Sequence, residues 1–268
     1  MSQIRNQQIL ITGAARGIGR LVAKGLAAQG GKIIAWDIDR ERLNALVDEL
    51  RDSGATATGY TVDLSQKDEI ERLAQQTSAE QGGVNIIINN AGIVSGKRFL
   101  ELSDDDIERT IKINTLAPIW VTRAFLPQML ERDQGHIVTI ASSAGMVGIS
   151  KLVDYCTSKW GALGFAESLR AELSDLAPAL ETTVVCPYFI DTGMFDGAKT
   201  RFPRLLPILK EQVVADNVIQ AIARNRARVH LPALVNFIPA ARILPTIALD
   251  GMMSFLGVNV SMDHFHGR

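Results

Sequence analysis

The sequence predicts an α/β fold: a doubly wound parallel sheet of about seven strands with helices on both faces. Three observations carry this. Short apolar runs alternate with helix-period segments along the chain, the pattern of strand–helix crossover units. A glycine cluster follows the first apolar run and opens an amphipathic helix. Residues able to do chemistry fall at the C-terminal ends of the apolar runs or on the helix that follows, where open α/β sheets bind their ligands.

The elements follow in order. Gln8-Ile-Leu-Ile-Thr12 is a buried strand, and residues 17–29 form a helix with Leu21, Val22, Gly25, Leu26 and Ala28 on its apolar side. Lys32-Ile-Ile-Ala-Trp36 is the second strand, followed by a helix over 40–53. Strands over 57–62 and 84–89 flank a helix over 66–80. A long helix over 104–131 starts behind Ser103 as N-cap, with Asp104, Asp105 and Asp106 complementing the helix dipole. Strands over 135–141, 181–186 and 228–231 alternate with helices over 155–175 and 212–225. Glu69 with Arg72, and Glu108 with Lys112, stand at the spacing of solvated surface pairs.

Composition bounds the function. The 268 residues fit a single domain spanning 1–268, with no linker or repeat dividing it. Net charge of −1 offers no basic field for nucleic acid. Cys156 and Cys186 make neither a metal pattern nor a disulfide scaffold and suit a reducing compartment. The histidines have no ligand-spaced carboxylate partners, so no metal is expected, and His264 and His266 read as a solvated tail. The polar start Met1-Ser-Gln-Ile-Arg-Asn-Gln-Gln8 is not a signal peptide, and no apolar run reaches the ~20 residues that span a bilayer. The expectation is a cytoplasmic protein, with peripheral membrane contact left open.

The motifs carry the chemistry. In Thr12-Gly13-Ala-Ala-Arg16-Gly17-Ile18-Gly19 the glycines permit a tight turn and close approach of a pyrophosphate to a helix N-terminus. The same glycines can simply serve a strand–helix turn. Asp37 ends the second strand, where a carboxylate accepts both ribose hydroxyls of adenosine and repels a 2′-phosphate, favouring NAD over NADP. The alternative is that Asp37 caps the helix near Arg40. Arg16 is the counter-signal, a cation within reach of a 2′-phosphate. Tyr155 and Lys159 stand one turn apart on a helix, thirteen and seventeen positions after Ser142. A phenol of pKa about 10 is a poor acid–base group at neutral pH, and a neighbouring ammonium lowers that value. Ser142, or Ser143 as competitor, can hold a substrate oxygen beside the phenol. The set reads as a proton relay for hydride transfer at C–OH/C=O.

Taken with Asp63 in Val62-Asp63-Leu64, Asn89-Asn90-Ala91-Gly92, Asn114, and Pro187 followed by Thr192, these motifs make the chain resemble the short-chain dehydrogenase/reductase family over residues 5–231. The segments Cys186–Phe195 and Arg201–Lys210, with Trp36-Asp37-Ile38 and Ser261–Arg268, resemble its branch of retinol and 17β-hydroxysteroid dehydrogenases. The resemblance implies one Rossmann-type NAD(P)-binding domain acting on a lipophilic alcohol or carbonyl. It implies Tyr155 for proton transfer, Lys159 also on the nicotinamide ribose, Ser142 on the substrate oxygen, and Asn114 holding a water linked to Lys159. It assigns Gly13, Arg16, Gly17, Ile18, Gly19, Asp37, Asp63, Leu64, Asn90, Ala91, Gly92, Pro187, Ile190 and Thr192 to the cofactor, Asp63 and Leu64 at adenine. Tyr188 stands where the family usually has glycine, so it joins Ser142, Met194 and Phe195 as a candidate substrate contact. Membrane-bound members of the branch carry an N-terminal anchor that is not seen here. A homodimer or homotetramer pairing through the long helices is implied. An NADPH-preferring reductase and a non-catalytic nucleotide-binding regulator are the competing readings.

Two regions follow the site. Residues 193–211 read as an apolar substrate lid, with Phe202, Leu205, Leu206, Ile208 and Leu209 joining Met194 and Phe195, or equally as core packing alone, since pocket linings and cores share composition. The C-terminal extension over 231–268 is apolar to Val260, with Arg242 its only cation in that stretch. It reads equally as a subunit interface, a pocket wall or an interfacial membrane element.

Overall fold

The structure, a computed structural model, describes residues 4–267. Met1–Gln3 of the polar N-terminal stretch and Arg268 of the terminal motif lie outside the described residues. Among the described residues nine strands form: β1 Gln8–Thr12, β2 Lys32–Asp37, β3 Ala57–Thr61, β4 Ile86–Asn89, β5 Gly135–Ile140, β6 Leu180–Pro187, β7 Ile190–Asp191, β8 Leu209–Lys210 and β9 Arg228–Leu231. The helices are α1 Gly17–Ala28, α2 Arg40–Asp52, α3 Lys67–Gln81, α4 Asp104–Ile111, α5 Ala117–Arg132, α6 Val153–Leu176, α7 Glu211–Ala223, α8 Ile238–Ala241 and α9 Thr246–Phe255.

Seven strands make one parallel sheet in the order β3-β2-β1-β4-β5-β6-β9. The strands run parallel, but the order in which the chain adds them reverses between β1 and β4, which opens a crevice at their C-terminal ends. Side chains alternate across the sheet as the period of two requires. Ile9, Ile11, Ile33 and Ala35 meet α1, α2 and α7 in one core, through Leu26, Leu46 and Val218 among others. Leu10, Ile34, Trp36 and Ile87 face the other core, built with α3 and α5 through Ile70, Leu73, Val121 and Phe125. Both faces are buried, which is why the strands read as continuous apolar runs.

The structure refines several expectations. The helix expected over 104–131 is interrupted by a π turn at Lys112–Leu116. Ser103 does cap α4, accepting from the Asp106 amide at 3.1 Å. Lys112 pairs with Glu108 at 2.8 Å. Glu69 does not pair with Arg72; its carboxylate accepts the backbone N–H of Asp63 at 3.0 Å, and Arg72 reaches Gln76. A two-residue ladder, β7 on β8, closes the base of the lid and lies below the length that periodicity can detect.

The C-terminal extension divides. Val235, Met253, Val258 and Met262 join the core, while Phe237, Ile243, Ile247 and Phe255 are exposed. Arg242 stacks on Trp160 of α6, its guanidinium 4.2 Å from the ring centroid. His264 and His266 are exposed as side chains, yet their backbone is docked: the His266 N–H donates to the Asp196 carbonyl at 2.9 Å. No helix among the described residues is long and apolar enough to cross a membrane.

Candidate active site

The crevice above β1 and β4 holds a cavity of about 530 Å³. Its first end is polar. The β1–α1 turn is tied down from β4: Asn90 donates its side-chain amide to the Thr12 and Gly13 carbonyls, both at 3.0 Å, and the Thr12 hydroxyl accepts the Asn90 N–H. Gly13 has φ +63°, and a Cβ there would sit 2.8 Å from the Ala91 Cα, so no other residue fits this turn. A Cβ on Gly19 would overlap the Gly13 carbonyl. Arg16 provides no side-chain cap for α1, and its first turn has no acidic residue. The helix N-terminus therefore presents unpaired amides toward the cavity, the geometry of an anion cradle.

Asp37 is buried at the end of β2, where its carboxylate accepts from the Ala15 and Asp39 amides, both at 2.9 Å. It does not cap α2. Asp39 does that, accepting from the Arg42 amide at 3.1 Å. Asp37 retains lone pairs toward the cavity it lines. Arg16 lines the same end, and so does Arg42, which is held by Asp39 at 3.0 Å. Asp63 forms a turn by accepting the Ser65 N–H, and with Leu64 it walls the far side. These residues fit a dinucleotide, with a cradle for its phosphates and a carboxylate at the sugar end.

The second end is where the relay residues meet. Ser142 follows β5, and its hydroxyl lies beside the phenol of Tyr155, donating to the Pro187 carbonyl at 3.4 Å and accepting from the Ala144 amide at 3.1 Å. Ser143 lines the cavity beside it. Lys159 is one turn along α6, buried, with Nζ 5.8 Å from the Tyr155 ring centroid and donating to the Ile140 carbonyl at 2.9 Å. Burial dominates both groups. It pushes the Tyr155 phenol up, opposed by the Ser142 hydroxyl, and pulls the Lys159 ammonium down to about 8. The lowering by Lys159 expected at Tyr155 is not found: burial, which disfavours a phenolate, is the largest influence on the phenol and only Ser142 opposes it.

Asn114 sits in the π turn and is fully buried. Its amide donates to the Ile93 carbonyl and the Ser158 hydroxyl, both at 2.9 Å, and accepts from the Ile93 N–H at 2.8 Å. It braces the loop after β4 against α6. Like Gly19, it stands behind the cavity wall rather than in it. A Cβ on Gly92 would lie 3.4 Å from the Asn114 Oδ1 and 3.5 Å from Lys159 Nζ, so these three are neighbours.

The walls beyond Tyr155 are apolar. Tyr188, Met194 and Phe195 lie there, with Pro187, Ile190 and Thr192 between them and the polar end. Phe195 meets Tyr155 edge-on at 5.6 Å, and Phe189 meets Phe195 at 5.1 Å. Phe189, Ile149 and Leu152 also line this end and were not singled out from the sequence. Their only signal is apolar character near Tyr188 and Tyr155. Of the remaining lid residues, Leu206 and Leu209 are core and Leu205 and Ile208 are exposed. No residue from 231 to 260 lines the cavity, so the pocket-wall reading of that stretch is corrected.

The family profile described as short chain dehydrogenase matches residues 7–201. The chain belongs to the short-chain dehydrogenase family. It is an oxidoreductase of that class. Epidermal retinol dehydrogenase 2 of Homo sapiens is 41% identical over 265 residues, covering 98% of this chain and 86% of that protein. The 17-beta-hydroxysteroid dehydrogenase 13 of Homo sapiens is 37% identical over 244 residues, covering 90% and 80%. A short chain dehydrogenase/reductase from Burkholderia phymatum, solved in complex with NAD, superposes with a TM-score of 0.82 at 27% identity, covering 91% of this chain and 95% of that one.

Proposed function

We propose that the protein interconverts a lipophilic alcohol of retinoid, steroid or long-chain type and its carbonyl, with NAD as hydride carrier. The observation that carries this is that Ser142, Tyr155 and Lys159 line one cavity together with Asp37 and the glycine turn on its polar side and Tyr188, Phe189, Met194 and Phe195 on its apolar side. The two named relatives support the substrate class. The NAD preference rests on Asp37, not on the cofactor bound to any relative.

The bound dinucleotide supplies the acceptor, or in reverse the donor, of the hydride. Gly13, Gly17 and Ile18 would hold its phosphates, Asp37 its adenosine ribose, Asp63 and Leu64 its adenine, and Pro187, Ile190 and Thr192 its carboxamide end. Asn90, Ala91 and Gly92 floor the trough. In oxidation, Ser142 holds the hydroxyl oxygen and Tyr155 takes its proton as the carbonyl forms. Lys159 holds positive charge next to the phenol and would hold the nicotinamide ribose when the dinucleotide is bound. Phe189, Phe195 and Leu152 line this end, and an apolar substrate seated against them would displace water and strengthen these interactions.

A second reading, NADPH preference, is favoured by Arg16 and Arg42 at the sugar end. A panel of retinoids, hydroxysteroids and aliphatic alcohols, each run with both cofactors, tests both. Turnover of lipophilic alcohols with NAD is the expected result, and a clear NADPH preference promotes the arginines. The protein is further read as cytoplasmic or peripheral at a membrane, and as a homodimer or homotetramer pairing through α5 and α6. A monomer in light scattering at micromolar concentration overturns the assembly.

A further inference from the structure

Three loops build the substrate end of the cavity, and the C-terminal tail touches all three. They are residues 90–98 after β4, residues 141–152 before α6, and the lid after β7. Their contributions to the wall include Ile93, Ile149, Leu152, Met194, Phe195 and Asp196. None of residues 261–267 reaches the cavity.

The contacts are specific. On the lid, the Lys199 N–H donates to the Ser261 carbonyl and the His266 N–H donates to the Asp196 carbonyl, both at 2.9 Å. A Cβ on Gly197 would overlap the His264 carbonyl, and one on Gly267 would overlap the Met194 carbonyl, so lid and tail meet backbone to backbone. On the first loop, the Phe265 ring lies directly over Gly96, which has no room for a Cβ and sits at φ +65°. On the second, Lys151 pairs with Asp263 at 2.7 Å, and the lysine side chain is only 17% exposed.

The tail thus binds the three loops of the substrate mouth to one another through one half-buried ring, one ion pair and two main-chain hydrogen bonds. The lid is also held at its base by the β7–β8 ladder and at Arg201 by Phe255, whereas over Met194–Lys199 it is the tail that meets its backbone. The geometry points to residues 261–267 as a clasp that sets the shape of the substrate end, with Phe265 the positioning residue that selects for bulky apolar substrates. This rests on the substrate class proposed above. The physical argument is differential. A long or polycyclic alcohol buries its apolar surface against Met194 and Phe195, whereas a short alcohol needs only the relay. Loosening the clasp penalises the first and spares the second.

The test uses the full-length protein with Phe265→Ala and the milder Phe265→Leu. Cofactor affinity, by fluorescence titration, is expected to stay within about twofold of wild type, since the nucleotide end lies away from the clasp. Amide exchange over Met194–Thr200 is expected to rise at least about tenfold in Phe265→Ala, because the lid opens locally. KM for a long-chain alcohol is expected to rise about tenfold, the loss of about 1.4 kcal/mol of binding. Its kcat and both constants for a short alcohol change little, and Phe265→Leu falls between. Unchanged lid exchange overturns the clasp. So does faster exchange with an unaltered long-to-short ratio of kcat/KM. If wild type turns over no alcohol, the proposed function fails, and the exchange result alone decides the clasp.

Discussion

At the scale of residues, the relay is assembled by proximity but not activated by it. Lys159 is an ammonium held in a buried site by the Ile140 carbonyl, and burial pulls its pKa down to about 8 from 10.5. A group with a lowered folded-state pKa binds its proton more weakly in the native than in the unfolded state. Stability therefore rises as pH climbs from about 8 toward 10.5, and at pH 7 the buried charge opposes folding. Lys159→Met is expected to raise thermal stability at pH 7, by at most about 3 kcal/mol, while abolishing turnover. An unchanged or lower Tm contradicts the reading. Cofactor affinity should also weaken as pH rises through about 8 in wild type and lose that dependence in the variant. Residue identity was legible here because Ser142, Tyr155, Lys159 and Asp37 announce chemistry at fixed local spacing. The balance of pKa shifts was not, since it depends on how α6 packs against β5. The sequence also offered Asp37 as the cap of α2, and the geometry assigns that task to Asp39.

At the scale of elements, the π turn at Lys112–Leu116 matters most. π turns recur at functional sites because one extra residue per turn re-aims a side chain. Here it accompanies Asn114 turned inward, where the amide braces Ile93 and Ser158. Asn114→Ala removes three hydrogen bonds around a wall residue and is expected to destabilise the fold by about 2–4 kcal/mol, with a fall in kcat. A shift of less than about 0.5 kcal/mol in urea unfolding contradicts the bracing role. The long helix was legible as a whole, but Lys112-Ile-Asn-Thr-Leu116 fits the α period and conceals the turn. The β7–β8 ladder was hidden by its length. The tail read as solvated because its side chains are polar, while backbone bonds and the single ring of Phe265 do the docking.

At the scale of the molecule, alternating apolar runs and helical segments made the parallel sheet legible, and motif placement located the crevice. What remained hidden were long-range choices, such as Glu69 serving the Asp63 amide and Arg242 stacking on Trp160. Acid stability is also a property of the whole sheet. His136, in β5 between β4 and β6, is buried with Nε2 2.8 Å from the Thr183 hydroxyl, and burial lowers its pKa from 6.5 to about 4. The unfolded chain binds the extra proton between those values, so stability is lost as pH falls from 6.5 through about 4, by up to about 3 kcal/mol from this group. His136→Gln should flatten that part of the profile. An equally steep profile in the variant assigns acid unfolding to other groups.

The central claim is that one cavity joins a dinucleotide site to an alcohol-oxidising relay centred on Tyr155. The most direct measurement is NADH formation from a lipophilic alcohol by wild type and Tyr155→Phe, with NAD affinity titrated on the same preparations. Wild type should turn over, and the variant should lose about 10³-fold in kcat, within the range of a general acid–base group, with NAD affinity within about threefold. Wild-type kcat in Tyr155→Phe, or NAD binding by wild type without oxidation of any alcohol tried, would contradict the account.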